Sequence, residues 1–112
     1  LLSLQKEKLF LLMENKLILI DIRTEKEWQH TGVIQGSYKI SAFDSKGSLN
    51  PNFLKMYKKN VKENDHVIFI SEKGEVSAIL ANGFIENLGM KNIYSLKGGI
   101  HEWIIKGNEI NI

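Results

Sequence analysis

Two short, uninterrupted apolar runs, LILID at residues 17–21 and VIFI at residues 67–70, constrain the fold of this chain most strongly. An apolar run without alternation, bounded by polar residues, is typical of a β-strand buried on both faces. Such strands belong to parallel sheets that are covered by helices. A short strand through residues 38–40 and another over residues 92–96 are also expected. The sequence therefore predicts an α/β protein around a mostly parallel sheet.

Helix-start signals stand between these strands and predict the covering helices. The expected spans are residues 3–14 with Ser3 as N-cap, 24–29 with a Thr24–Glu27 capping box, 50–62 opened by Asn50-Pro51, 77–88 opened by Ser77 and ended by Gly89, and 100–106 ended by Gly107. For the fourth of these helices we expect an apolar face made of Ala78, Ile79, Leu80, Phe84, Ile85 and Leu88.

Length and composition favour one domain over residues 1–112, because the chain has no repeat, low-complexity tract or flexible linker. The net charge is +2, and Arg23 is the only arginine, so no nucleic-acid partner is expected. No apolar run approaches the ~20 residues of a membrane span, so no membrane insertion is expected. Since the chain begins at Leu1 rather than methionine, a soluble cytoplasmic protein and one exported after removal of an N-terminal signal both stay open.

The chain contains no cysteine, which excludes disulfides, thiolate metal ligands and a sulfur nucleophile of its own. We expect no cofactor and no metal site. The segment that most resembles a reactive site follows the second apolar strand. This 71–77 segment consists of Ser71, Glu72, Lys73, Gly74, Glu75, Val76 and Ser77. A strand–loop–helix junction of this kind gathers unpaired backbone N–H groups that suit an anion or a thiolate, yet its first side chain is a hydroxyl.

Motifs in a fixed order make the chain resemble the rhodanese-like (sulfurtransferase) family. The matching stretches are LILIDIRTEKEW, TGVIQGS, VIFISEKGEVSA and GMKNIYSLKGGIHEWIIKG. The most specific parts are D-x-R with an acidic–aromatic pair (Asp21, Arg23, Glu27, Trp28) and L-x-G-G-I-x-x-W (Leu96, Gly98, Gly99, Ile100, Trp103). The resemblance implies a three-layer sandwich in which helices flank a central, mostly parallel five-stranded sheet.

The same resemblance implies that the chemistry has been lost. In active members the loop begins with a cysteine that carries a persulfide, and Ser71 stands at that position. Gly74 and Ser77 match the family pattern, whereas Val76 replaces a usual arginine, and Glu72 and Glu75 replace basic or neutral residues. The resemblance therefore implies a domain without sulfurtransferase activity that acts as a binding or regulatory module. We expect its partner to be another protein or domain rather than a small anion at the loop.

Enzymatic alternatives stay open at this point. A cysteine from another domain would complete a sulfurtransferase site, or Ser71 would be a replacement for a native cysteine, although several altered loop positions favour natural divergence. Ester hydrolysis by Ser71 is disfavoured, because Phe69 and Lys73 occupy the glycine positions of a G-x-S-x-G elbow. A serine nucleophile would need a histidine as general base. His66 lies too far from Ser71, at the other end of its strand, whereas His30 and His101 could approach the loop.

The charges around the 71–77 segment have structural interpretations. Glu72, Lys73 and Glu75 give it a net charge of −1, and we hypothesise that one carboxylate folds back onto the loop amides and replaces an external anion. Arg23 is expected to pair with Asp21, Glu27 or a backbone carbonyl and to stabilise the turn after the first apolar strand. Gly98 and Gly99 are expected to adopt backbone conformations closed to other residues.

Overall fold

The computed structural model describes residues 2–4 and 17–108. Its strands are β1 (Leu2–Leu4), β2 (Leu17–Asp21), β3 (Tyr38–Lys39), β4 (His66–Ile70) and β5 (Ile93–Leu96). Its helices are α1 (Glu25–Thr31), α2 (Phe53–Asn60), α3 (Glu75–Leu88) and α4 (Gly99–Ile105). The strands form a five-stranded sheet in the order β1-β5-β4-β2-β3, in which each neighbouring pair is parallel. The predicted α/β architecture with a parallel sheet is confirmed.

Strand β4 lies at the centre of the sheet because its side chains are apolar on both faces. Val67 and Phe69 belong to one buried cluster, whereas Ile68 and Ile70 belong to the other. The first cluster packs under α2 and α3, where the rings of Phe69 and Phe84 meet edge to face at 5.5 Å between centroids. The second cluster packs under α4 and includes Trp103. Uninterrupted apolar runs thus mark the middle of this sandwich.

The capping-box helix was predicted correctly and is longer than expected. The Thr24 side chain accepts the N–H of Glu27, and the Glu27 carboxylate accepts the N–H of Thr24. Helix α1 runs on to Thr31. At the N-terminus, Ser3 lies in strand β1, so its prediction as a helix cap is wrong; the rest of that predicted helix falls outside the described residues.

The start of α2 was predicted too early. The side chain of Asn50 accepts the N–H of Asn52, and its carbonyl accepts the N–H of Phe53, so the Asn-Pro pair forms a turn before the helix. The helix itself spans Phe53–Asn60. Local hydrogen bonding by an asparagine side chain competes with helical bonding, which explains the delay.

Helix α3 differs from prediction in both its start and its buried face. It begins at Glu75 after Gly74, which has φ of 94°, so Ser77 lies inside the helix rather than at its cap. The buried face consists of Ser77, Leu80, Ala81 and Phe84, whereas Ile79 is 72% exposed and Leu88 is 49% exposed. These four residues follow the i, i+3, i+4, i+7 spacing of one helix face that begins at Ser77, and this face packs on the sheet. None of the helices in the described ranges is long and apolar enough to cross a membrane.

Candidate functional site

Ser71 is the first residue beyond β4, and its hydroxyl lies inside the turn of the 71–77 segment. Its Oγ accepts the backbone N–H groups of Gly74 at 3.2 Å and Ser77 at 3.1 Å. Its O–H donates to Oγ of Ser77 at 2.9 Å, and the residue is only 4% exposed. Two amides of this junction are therefore bound by a neutral hydroxyl oxygen that belongs to the chain itself.

A buried network of three serines extends from this point into the sheet. Oγ of Ser77 lies 2.7 Å from Oγ of Ser95 in β5, and both hydroxyls lie within hydrogen-bonding distance of the Gly74 carbonyl. Ser77 and Ser95 are 0% and 1% exposed, so the network makes up for the cost of burying these hydroxyls. Ser95 was not among the expected site residues, and its only signal in the sequence is a serine within the apolar strand IYSL.

The 71–77 segment is held against the N-terminus of α4 through backbone contacts. The carbonyls of Ser71 and Glu72 accept the N–H groups of Ile100 at 3.0 Å and His101 at 2.9 Å. Gly99, with φ of 61°, allows this approach, because a Cβ there would lie 2.5 Å from the Ser71 oxygen and 2.6 Å from the Glu72 oxygen. The double glycine therefore brings helix and loop together, and these two α4 amides are occupied by the chain's own carbonyls.

Arg23 lies beside the segment and is almost completely engaged. Its Nε and Nη2 donate to the Asp21 carboxylate at 3.0 and 2.9 Å, and Nη2 also donates to the Gly32 carbonyl. Its Nη1 donates to Oγ1 of Thr31 and to Oε1 of Glu72. Burial lowers the pKa of Arg23, but its bonds and charge attraction to Asp21 and Glu72 outweigh that effect and raise the pKa above its ordinary value. The expected pairing with Asp21 and a carbonyl is present.

Glu72 shows that the predicted folding of a carboxylate onto the loop amides is wrong. Its Oε1 pairs with Nη1 of Arg23 at 3.1 Å. The Gly74 and Ser77 amides bind Ser71 Oγ instead, and Glu75 is exposed at the start of α3. The carboxylate prefers Arg23 because a guanidinium offers a full opposite charge, whereas the amides already have an acceptor.

A pocket of about 210 Å³ opens beside Ser71, at the carboxyl ends of β2 and β4. We call it the Ser71 pocket. It is lined by Ile22, Arg23, Thr24, Glu27, Phe43, Asp44, Ser71, Glu72 and Val76. Three of these residues carry carboxylates and only Arg23 is cationic, so the lining has an excess of negative charge. Such a surface repels anions.

The histidines do not provide Ser71 with a base. His66 lies at the start of β4 and contacts the Tyr94 hydroxyl through Nδ1 at 3.1 Å, as its position along the strand predicts. His30 and His101 are exposed, and the hydrogen bonds of Ser71 Oγ go to Gly74 and Ser77. Among residues 17–108, no group of three or more histidine, cysteine, aspartate or glutamate side chains could hold a metal ion.

The chain belongs to the rhodanese-like domain family, whose sequence profile matches residues 5–106. An uncharacterised protein of Rickettsia prowazekii is 33% identical over 91 residues, which is 80% of this chain and 73% of that protein. An uncharacterised protein of Rickettsia conorii matches with the same identity and coverage. This membership, together with the absence of cysteine from the sequence, makes the chain a degenerate member that lacks the catalytic sulfur.

Solved structures share the fold. The crystal structure of a rhodanese-related protein from Thermoplasma volcanium superposes with a TM-score of 0.72 at 24% identity and covers 96% of this chain and 95% of that one. A protein of unknown function from Rhodopseudomonas palustris, described as a possible tyrosine phosphatase, has a TM-score of 0.69 at 22% identity, with 97% and 83% coverage. At these identities the likeness concerns the fold alone.

Proposed function

We propose that this rhodanese-like domain has no sulfurtransferase activity and acts as a binding or regulatory module for another protein or domain. The observation that carries the proposal is the state of Ser71, whose hydroxyl fills the loop where sulfur transfer requires a thiolate. A persulfide forms when a thiolate attacks the outer sulfur of a donor such as thiosulfate, breaks the S–S bond and releases sulfite. An oxygen nucleophile cannot form that intermediate.

The surroundings of Ser71 oppose the enzymatic alternatives as well. A serine nucleophile needs an adjacent base, and the partners of Ser71 Oγ are two amides and another serine. A cysteine supplied by another domain would need to reach a position that is 4% exposed and closed by its own hydrogen bonds. Thiosulfate would also meet the Glu72 carboxylate beside the pocket, while Arg23 is engaged by Asp21.

The first test compares sulfur transfer by the purified chain with transfer by variants. We expect no thiocyanate formation from thiosulfate and cyanide above buffer, and no sulfur adduct by intact mass spectrometry. Ser71→Cys supplies the thiol, but Glu72 and Glu75 raise its pKa and repel the donor, so we expect little activity. Adding Glu72→Arg and Val76→Arg should increase the rate by about thirtyfold, since each of the two added cations near the donor is worth on the order of 1 kcal/mol.

The matched control combines Ser71→Cys with Glu86→Arg and Asn82→Arg, which make the same charge change on exposed positions of α3. We expect it to behave like Ser71→Cys alone. A sulfur adduct or turnover in the unmodified chain would refute the proposed loss of activity. A fully active Ser71→Cys variant would refute the role given to loop charge and would favour a native cysteine at this position.

A further inference from the structure

The size of the Ser71 pocket suits one side chain rather than a small-molecule substrate. Its volume of about 210 Å³ is below the roughly 300–1,000 Å³ of ordinary ligand sites. Its apolar lining comes from buried Ile22, half-buried Phe43 and exposed Val76. An unbranched aliphatic stem would therefore contact apolar groups on several sides.

The polar part of the pocket is complementary to a cation. Glu27, Asp44 and Glu72 contribute three carboxylates, and the charge of Arg23 is balanced by buried Asp21. Within the described residues, the hydrogen bonds of these carboxylates use Oε1 of Glu27, Oδ1 of Asp44 and Oε1 of Glu72. The second oxygen of each is therefore available to an incoming donor.

Apolar groups continue from the pocket onto the surface around it. Val76 is 48% exposed, and Ile79, one helical turn further along α3, is 72% exposed. Phe43, which also lines the pocket, pairs through a β-bridge with Leu49, which is 49% exposed. A partner segment seated here would bury apolar residues beside its charged one.

We propose that the Ser71 pocket binds one lysine or arginine side chain of a partner protein, with apolar residues on either side of it. Both side chains combine an apolar stem with a cationic end, which matches apolar walls surrounded by carboxylates. Charge complementarity selects the basic partner and rejects an acidic one. This inference rests on the proposed binding function and names the chemistry of its partner.

The test uses three capped tripeptides with leucine at both ends and arginine, glutamine or glutamate in the centre. Backbone amide NMR shifts of the full chain are followed as each peptide is titrated to millimolar concentration. We expect the arginine peptide to shift the amides of Asp44, Glu72 and Val76 saturably and to bind about fivefold more tightly than the glutamine peptide. The glutamate peptide should bind more weakly still, and added salt should weaken the arginine peptide.

The decisive variant combines Asp44→Asn with Glu72→Gln, which keeps acceptor oxygens for Lys46, Ser48 and Arg23 while removing two charges. It should lower affinity for the arginine peptide by about fivefold. The control, Glu63→Gln with Glu86→Gln, removes two exposed charges elsewhere and should leave affinity unchanged.

Equal binding of all three peptides, equal weakening by both double variants, or no saturable shift with any peptide would overturn the inference. These outcomes are independent of the sulfur-transfer assay. An inactive domain that fails to distinguish the peptides loses only the proposed partner chemistry. A domain that transfers sulfur contradicts the proposed function whatever the peptides do.

Discussion

Removing the charge of Asp21 should destabilise the domain more than removing the charge of Glu72, the other carboxylate that pairs with Arg23. Its carboxylate is 0% exposed and accepts Nε of Arg23 at 3.0 Å, Nη2 at 2.9 Å and the Arg23 backbone N–H at 3.1 Å. Asp21→Asn preserves the volume but leaves a buried guanidinium without its closest counter-charge. Glu72 remains beside it, but its side chain is 37% exposed.

The expected loss is about 3–5 kcal/mol, as for other buried ion pairs that lose one partner. A domain of this size unfolds with a free energy of about 5–15 kcal/mol, so the loss is a large fraction of the total stability and equals all of it at the lower end of that range. At about 4–5 °C per kcal/mol, Tm should fall by roughly 12–25 °C. Glu72→Gln removes the more exposed partner of the same guanidinium, so it should cost about 0–1 kcal/mol.

Urea unfolding followed by circular dichroism measures these differences, and a double-mutant cycle with Arg23→Met isolates the pair. Removing both charges should cost less than the sum of the single changes, because neither group is then left buried alone. If Asp21→Asn costs no more than Glu72→Gln, or if the cycle is additive, Arg23 is not stabilised chiefly by Asp21 and the reasoning fails.

Two further stability predictions follow from backbone packing and burial. Gly99→Ala should lower the free energy of unfolding in urea by about 2–5 kcal/mol, because the φ of Gly99 is 61° and the added Cβ would meet two carbonyl oxygens. The control is Gly47→Ala, which should cost about 1–2 kcal/mol, because Gly47 has a φ of 80° but lies in open space. Equal costs would contradict the close approach of Gly99 to the 71–77 segment. Burial and the Asp65 carboxylate raise the pKa of Tyr57 to about 12. Because the folded pKa lies above the unfolded one, stability should fall by about 2–3 kcal/mol as pH rises from about 10 to 12, and Tyr57→Phe should remove this part of the fall.

Local patterns predicted the elements whose interactions are themselves local. The Thr24–Glu27 capping box forms because its two residues are three apart on one chain, and it needs no tertiary contact. The Asp21–Arg23 pair is equally short-range. Asn50-Pro51 does not start the helix, because an asparagine side chain can either cap a helix or close a turn before it. Here the Asn50 side chain accepts the N–H of Asn52 and forms the turn.

The face of α3 and the destination of Glu72 depended on distant residues. The Ser77 side chain faces inward, where its hydroxyl lies within hydrogen-bonding distance of Ser71 and Ser95, which are 6 and 18 residues away in sequence. With α3 in this orientation, Ile79 is exposed to solvent. Glu72 pairs with Arg23, 49 residues away, rather than with nearby amides. Periodicity within a helix cannot report contacts of this kind, since they arise only when separate strands end side by side.

By itself, the sequence determined the parallel α/β architecture and the lack of a cysteine nucleophile in this chain, because buried strands require apolar runs and the sequence contains no cysteine. Only the tertiary structure decided which groups bind the amides of the 71–77 segment and which groups line the Ser71 pocket. Three serines, from the residue after β4, from α3 and from β5, bind two of its amides and the Gly74 carbonyl, and carboxylates from three separate segments line its pocket. Those groups meet because the chain folds, and no spacing along the chain encodes their distances.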